Sequence, residues 1–206
     1  LAWPRLVTGG PLHSVMHLIT LTLPEALGGN IYEDMDGAIL YSRSSDGGTS
    51  WDPEHQLIDL IGGNYYTHFS GDTYEIETRD EVVAILAGDS WVDLVMIKST
   101  DGGDSWEKTI IWQHPYPMFD PNNPIVTDTF YCADGAHDIA IDVSGKVHVV
   151  FGINRAMCED GVNLSWFPLV DGLGYWNEDR VTFSDNLHAL DPYDHPIGIH
   201  SGNGDS

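Results

Sequence analysis

Ser44-Ser45-Asp46-Gly47-Gly48-Thr49-Ser50-Trp51 and Ser99-Thr100-Asp101-Gly102-Gly103-Asp104-Ser105-Trp106 share one pattern, S-x-D-x-G-x-x-W. Each follows an apolar run, residues 38–41 in one case and 92–97 in the other. Asp and Ser side chains accept hydrogen bonds from nearby backbone N–H groups and close turns. Glycine supplies a positive φ without steric cost. Tryptophan then opens the next strand and buries a large ring beside the turn. The pattern therefore predicts a hairpin turn built on Ser44, Asp46, Gly48 and Trp51, and a second on Ser99, Asp101, Gly103 and Trp106. Asp46 and Asp101 are expected to serve their own backbones rather than to carry chemistry.

Outward from these turns the chain repeats. Asp46 and Asp101 lie 55 residues apart, about one propeller blade. A third, degraded copy is read at Asp171 and Trp176, which keep the five-residue Asp-to-Trp spacing while Leu169 replaces the Ser and Leu173 the Gly. Residues 16–22, 82–87 and 147–151 mix β-branched and apolar side chains over strand length. Residues 138–142, the turn Val143-Ser144-Gly145-Lys146 and residues 147–151 form a hairpin pattern with alternating faces. Each unit reads strand, turn, strand, loop, strand, Asp-box turn, strand. That predicts an all-β fold, an antiparallel β-propeller portion with blades near 10–60, 61–120 and 121–185 and a further one beginning in 186–206. Three and a part blades do not close a ring. The expectation is therefore a single propeller portion of a larger six- or seven-bladed protein, or self-assembly.

Composition bounds the function. The 206 residues include 32 acidic and 8 basic side chains, for a net charge of −24. Such a surface repels phosphate backbones and anionic membranes, which argues against nucleic-acid partners. No apolar run approaches the roughly 18 residues that span a bilayer, which argues against membrane insertion. Cys132 and Cys158 fall in one unit. They form a disulfide in an oxidising compartment, or stand as two buried thiols.

The two S-x-D-x-G-x-x-W segments resemble the Asp-box (BNR) repeats of the sialidase-like propeller superfamily. The wider pattern resembles secreted or surface propeller proteins of Bacteroidetes-type bacteria, in residues 72–74, 98–103, 145–151 and 175–178. The resemblance implies a secreted or cell-surface location. It also implies either a recognition or scaffold module for glycan or protein ligands, or a carbohydrate-active hydrolase.

A sialidase holds its substrate carboxylate with three arginines. Here the arginines are Arg5, Arg43, Arg79, Arg155 and Arg180, and Pro4-Arg5-Leu6 does not match the Arg-Ile-Pro pattern of the family. Other glycosidases need two carboxylates flanking a cleft. Asp72, Glu75, Asp134 and Asp138, with His68 and His137 nearby, are the candidates, each weighed against a plain turn or strand-end role. The ten histidines form no metal-ligand spacing, and no cofactor motif is present. Calcium remains open in oxygen-rich loops such as Asp120-Pro121-Asn122-Asn123. Aromatic loops at residues 64–69, 112–117 and 166–168 are candidate binding surfaces. Clustering on one face would favour ligand binding, and dispersal between sheets would favour packing.

Overall fold

The computed structural model describes residues 1–167, 172–179 and, as backbone alone, 199–201. These residues form three β-sheets and no α-helix, with only single 3-10 turns between strands. Sheet I holds β1 (Ala2–Gly9), β2 (Val15–Leu21), β3 (Ile39–Ser44) and β4 (Gln56–Leu57), in that order. Sheet II holds β5 (Tyr74–Arg79), β6 (Val82–Ala87), β7 (Leu94–Ser99) and β8 (Glu107–Trp112), again in chain order. Sheet III is centred on β10 (Val147–Cys158). It pairs with β9 (Phe130–Ile141) on one side and with β11 (Leu164–Phe167) and β12 (Leu173–Asn177) on the other. All these pairs are antiparallel. The short β13 (Ile199–Ser201) runs parallel to β12. The first sheet takes in β1, ahead of the unit boundary expected at residue 10. Among the described residues no helix is long and apolar enough to cross a membrane.

The strand sequences explain the layering. β5 alternates buried Tyr74, Ile76 and Thr78 with Glu75, Glu77 and Arg79, the period of a strand with one core face. β6 is apolar throughout, Val82 to Ala87, because a sheet lies against each of its faces. One apolar layer joins Ile19, Leu21, Ile39 and Tyr41 of sheet I to Ile76, Val83, Ile85 and Ile97 of sheet II. A second joins Leu86, Leu94 and Met96 of sheet II to Val147, Val149, Phe151 and Trp176 of sheet III.

Both predicted S-x-D-x-G-x-x-W turns close as their chemistry requires. Ser44 Oγ donates to Asp46 Oδ1 at 2.9 Å and accepts from Gly48 N at 2.9 Å. Asp46 accepts from Ser50 N at 2.9 Å and Ser50 Oγ at 2.7 Å. In the second copy Ser99 Oγ donates to Asp101 at 2.7 Å and accepts from Gly103 N at 2.8 Å, and Asp101 accepts from Ser105 N at 2.9 Å. Gly48 and Gly103 have φ of 84° and 93°, the left-handed region where a side chain is strained. The hairpin read at 138–151 is also present. Asp142 Oδ1 accepts from Ser144 N at 2.7 Å and Lys146 N at 3.1 Å, joining β9 to β10.

The turn of one sheet seats on its neighbour. Arg43, just before the first box, donates to Gly102 O at 2.9 Å and to Asp104 Oδ1 at 2.6 Å in the second box. Trp106 meets the Tyr41 ring edge-on at 5.1 Å. Lys98, the matching residue of sheet II, donates to Gly145 O at 2.9 Å and to Glu178 at 2.8 Å in sheet III.

One expectation is corrected and one open alternative is resolved. Asp171 lies outside the described residues, but Trp176 does not occupy the place held by Trp51 and Trp106. Both β11 and β12 run antiparallel to β10 and so point the same way. Trp176 is instead a buried strand residue opposite Val149. By register the place of Ser44 and Ser99 falls at Glu178, since Arg43, Lys98 and Asn177 stand opposite His17, Ala84 and His148. The choice left open at Cys132 and Cys158 falls to two buried thiols and not a disulfide. Cys132 pairs with Asn154, four residues before Cys158 on β10. That spacing is about 13 Å along a strand, beyond the roughly 7 Å between α-carbons that a disulfide allows. Cys132 Sγ instead donates to Asn154 Oδ1 at 2.8 Å.

Ser99 is buried and holds three hydrogen-bond partners of its turn. Ser99→Ala should lower unfolding free energy by about 1–2 kcal/mol, read by chemical denaturation; an unchanged midpoint would remove the turn-closing role. Acidification should act in two windows. Burial between the sheets lowers the His17 pKa from 6.5 to about 4. The unfolded chain therefore takes up the proton first, and stability falls as pH drops from 6.5 towards 4. Hydrogen bonds from Ser50 and Ser44 lower the Asp46 pKa from 3.8 to about 2. Its contribution is present above 3.8 and lost as pH falls from there to about 2, and Asp101 is lowered in the same direction. A pH series of denaturation midpoints should show the upper window shrink in His17→Gln, the remainder belonging to His114 and His137, which burial shifts in the same direction.

Candidate functional site

Strand direction sorts the connections. The turns β1–β2, β3–β4, β5–β6, β7–β8 and β9–β10 lie at one end of the sheets, and both S-x-D-x-G-x-x-W turns are there. The remaining connections, residues 22–38, 58–73, 88–93 and 113–129, lie at the other. At this loop end a cavity of about 350 Å³ opens. Trp3, Phe69 and Trp91 are its aromatic walls, and Asp36, His68 and Asn122 are among its polar lining.

Local chemistry fixes each wall. Trp3 sits in an irregularity of β1 with φ of 47°, a left-handed conformation that a tryptophan adopts only when its surroundings hold it there. Tyr74 Oη donates to Trp3 O at 2.6 Å. The indole lies against Gly71, where a β-carbon would come within 2.7 Å of it. Trp91 stacks on Phe119 at 5.1 Å and meets Phe130 edge-on at 5.9 Å.

Behind the lining residues Ser70 and His68 lies a buried carboxylate. Asp89 accepts from Ser70 Oγ at 2.6 Å and from Trp91 N at 2.8 Å. His68 Nε2 stands 4.0 Å from Asp89 Oδ1, beyond hydrogen-bond distance. His68 is only 7% exposed, yet its Nε2 has no partner among the described residues. At the rim, Asp36 accepts from Glu25 N at 2.8 Å and from Asn122 Nδ2 at 2.7 Å. A pre-aligned carboxylate and amide beside aromatic walls suit a small hydroxylated ligand.

Beside this cavity the two aromatic loops expected from residues 64–69 and 112–117 come together. Tyr66 Oη reaches Asp93 at 3.3 Å, and the same carboxylate accepts from His114 N at 2.7 Å. Lys108 Nζ sits 3.4 Å above the exposed Tyr65 ring. Tyr66, Phe69, His114 and Phe119 are buried, so these loops are packed together and only Tyr65 of this group offers much surface. Burial lowers the pKa of His114. Trp166 and Phe167 are exposed on β11, away from this cluster, while Trp112 meets Phe151 at 5.9 Å between sheets II and III.

The candidate acids are each engaged by near neighbours. Arg5 pairs with Asp72 at 2.8 Å and Glu75 at 3.4 Å. Asp134 and Asp138 accept from backbone N–H of Ala136 and Ile139, both at 2.9 Å. His137 Nε2 contacts Thr73 O at 3.0 Å, and burial lowers its pKa. Asp120 caps its own loop through Asn122 N at 2.9 Å. Among the described residues no three His, Cys, Asp or Glu side chains gather as a metal site. Arg5, Arg43 and Arg79 each serve a different sheet contact, Arg79 donating to Ile141 O at 3.1 Å, and Arg180 lies outside the described residues.

Of the cavity residues, the sequence reading named only His68, Phe69, Pro121 and Asn122. Trp3 arrives from β1 and Asp36 and Trp91 from separate connections, and their meeting is a tertiary event. The available signal was Gly88-Asp89-Ser90-Trp91, a short turn carrying a tryptophan between two acids.

No protein-family model and no curated protein matches the chain.

Gly71→Ala should displace Trp3. The expected result is a shift of tryptophan emission and a change in near-ultraviolet dichroism with far-ultraviolet dichroism retained; an unchanged emission spectrum would contradict the packing of Trp3 on Gly71.

Proposed function

We propose that the chain is a portion of an Asp-box β-propeller, secreted or displayed at the cell surface, that recognises glycans through its loop end. Three stacked antiparallel sheets, two of them carrying S-x-D-x-G-x-x-W turns between the third and fourth strands, support the propeller reading. The observation that carries the recognition reading is the cavity itself, with Trp3, Phe69 and Trp91 on its walls and the Asp36–Asn122 pair at its rim. Sugar rings present apolar C–H faces that stack on indoles, and hydroxyls that pair with carboxylate, amide and imidazole groups. The lining carboxylate Asp36, the adjacent Asp89 and the chain's charge of −24 oppose an anionic sugar. The ligand class is therefore an uncharged pyranoside.

A sialidase-like glycoside hydrolase is the alternative and has less support. It requires arginines converging on a substrate carboxylate, and Arg5, Arg43 and Arg79 are each engaged elsewhere.

Titration with galactose, mannose, glucose and N-acetylglucosamine, followed by tryptophan fluorescence, tests the reading. At least one neutral sugar should give a saturable change, and Asn122→Ala, at an exposed position, should weaken it by about tenfold, the effect of roughly 1.4 kcal/mol. No response to any neutral sugar would defeat the proposal. Saturable binding of N-acetylneuraminic acid, with its hydrolysis from a 4-methylumbelliferyl glycoside, would favour the hydrolase.

A further inference from the structure

Each of the first two sheets is covered on one face by the next sheet. In sheet I the covered face includes Ile19, paired with Tyr41, and Ile39. In sheet II the matching register places are Leu86, paired with Met96, and Leu94. All six are buried. The same places in sheet III are Val150, paired with Tyr175, and Leu173. Here the pattern breaks: Val150 is 46% and Leu173 51% exposed.

The uncovered face repeats the covered one in detail. In sheet I, His17 Nδ1 lies 2.7 Å from Tyr41 Oη, with the rings 6.1 Å apart at 21°. In sheet III, His148 Nδ1 lies 2.8 Å from Tyr175 Oη, with the rings 6.1 Å apart at 20°. What covers the pair in sheet I is the second S-x-D-x-G-x-x-W turn. Gly103 lies so close to Tyr41 that a β-carbon would overlap the hydroxyl, and Trp106 meets the ring edge-on. The first turn, Ser44 to Trp51, has the same internal hydrogen bonds, but around Gly48 a β-carbon would meet only Met16 and Trp51 of its own sheet. Among the described residues sheet III thus has an open receiving face, and sheet I an unused turn of the kind that fills such a face.

We propose that the outer face of sheet III receives the Ser44–Trp51 turn of a second copy of this chain, with Gly48 and Trp51 seated on Tyr175. Two copies joined in both directions bring together six of these sheets, within the four to eight that close a propeller. The contact continues an interface already present between sheets I and II, and it rests on strand register, independently of what the loop end binds. One difference sets its salt dependence. The Arg43–Asp104 ion pair is replaced by Asn177 and Thr49, which are uncharged. No attraction between unlike charges then stands at this position against the repulsion of two chains of net charge −24. Association therefore strengthens as salt screens that repulsion.

Light scattering coupled to size exclusion, from micromolar to near-millimolar chain and at low and high salt, tests this. The expected mass exceeds the 22.8 kDa of one chain, rising with concentration and with salt. Val150→Lys, at an exposed site, should return it to the single-chain mass with cooperative unfolding retained, and Trp51→Ala should act the same way from the other side of the contact. A single-chain mass at every concentration, or an assembly that Val150→Lys leaves intact, would overturn the proposal.

Discussion

The architecture depends on how closely a turn approaches the neighbouring sheet at Gly103. A positive φ and the lack of a side chain let the backbone reach the Tyr41 hydroxyl, and Arg43 then grips Gly102 O from the same strand as Tyr41. Any β-carbon at Gly103 would hold the sheets apart. The apolar layer from Ile19 to Ile97 would then lose the close packing on which its dispersion energy depends. The serine and aspartate of the turn matter because they place that glycine. Ser99 Oγ accepts directly from Gly103 N at 2.8 Å, so the motif is a device for presenting a bare backbone segment to the next sheet.

This division of labour leaves the other end of the sheets free. The turns at one end dock on the neighbouring sheet, and the opposite connections build surface. Trp3, Asp36, His68, Trp91 and Asn122 come from five separate segments of the chain, and Trp3 is held in a backbone conformation that costs energy. The buried His68–Asp89 neighbourhood, with an imidazole nitrogen left without a partner, is also costly in a plain packing core. Both features gather on one cavity, which is why the functional reading is placed there rather than at the more conspicuous aspartates of the turns.

Much of this fold was legible in the sequence because its signals are local. The two turns, the Asp142–Lys146 hairpin and the alternation of β5 each lie within a few residues, where side-chain chemistry decides backbone shape. What failed did so for physical reasons. Asp171 and Trp176 matched a spacing, but the spacing lacked the serine and glycine that make the turn, and Trp176 lies within β12 opposite Val149. The pairing of Cys132 and Cys158 turned on strand register, which composition does not carry. The cavity was the least legible part. Asp36 meets Asn122 at 2.7 Å only because three sheets stack, and no pattern within one segment announces such a contact.

The central claim is that the second turn joins two sheets through the bare backbone of a glycine. Gly48→Ala and Gly103→Ala compare it directly. Both positions have a left-handed φ, so both variants bear similar backbone strain, and only Gly103 faces Tyr41. Measured by thermal unfolding in a Val150→Lys background, where no second copy rests on Gly48, Gly103→Ala should cost more than Gly48→Ala, and Tyr41→Phe should remove part of the excess. Equal losses at the two glycines would contradict the account.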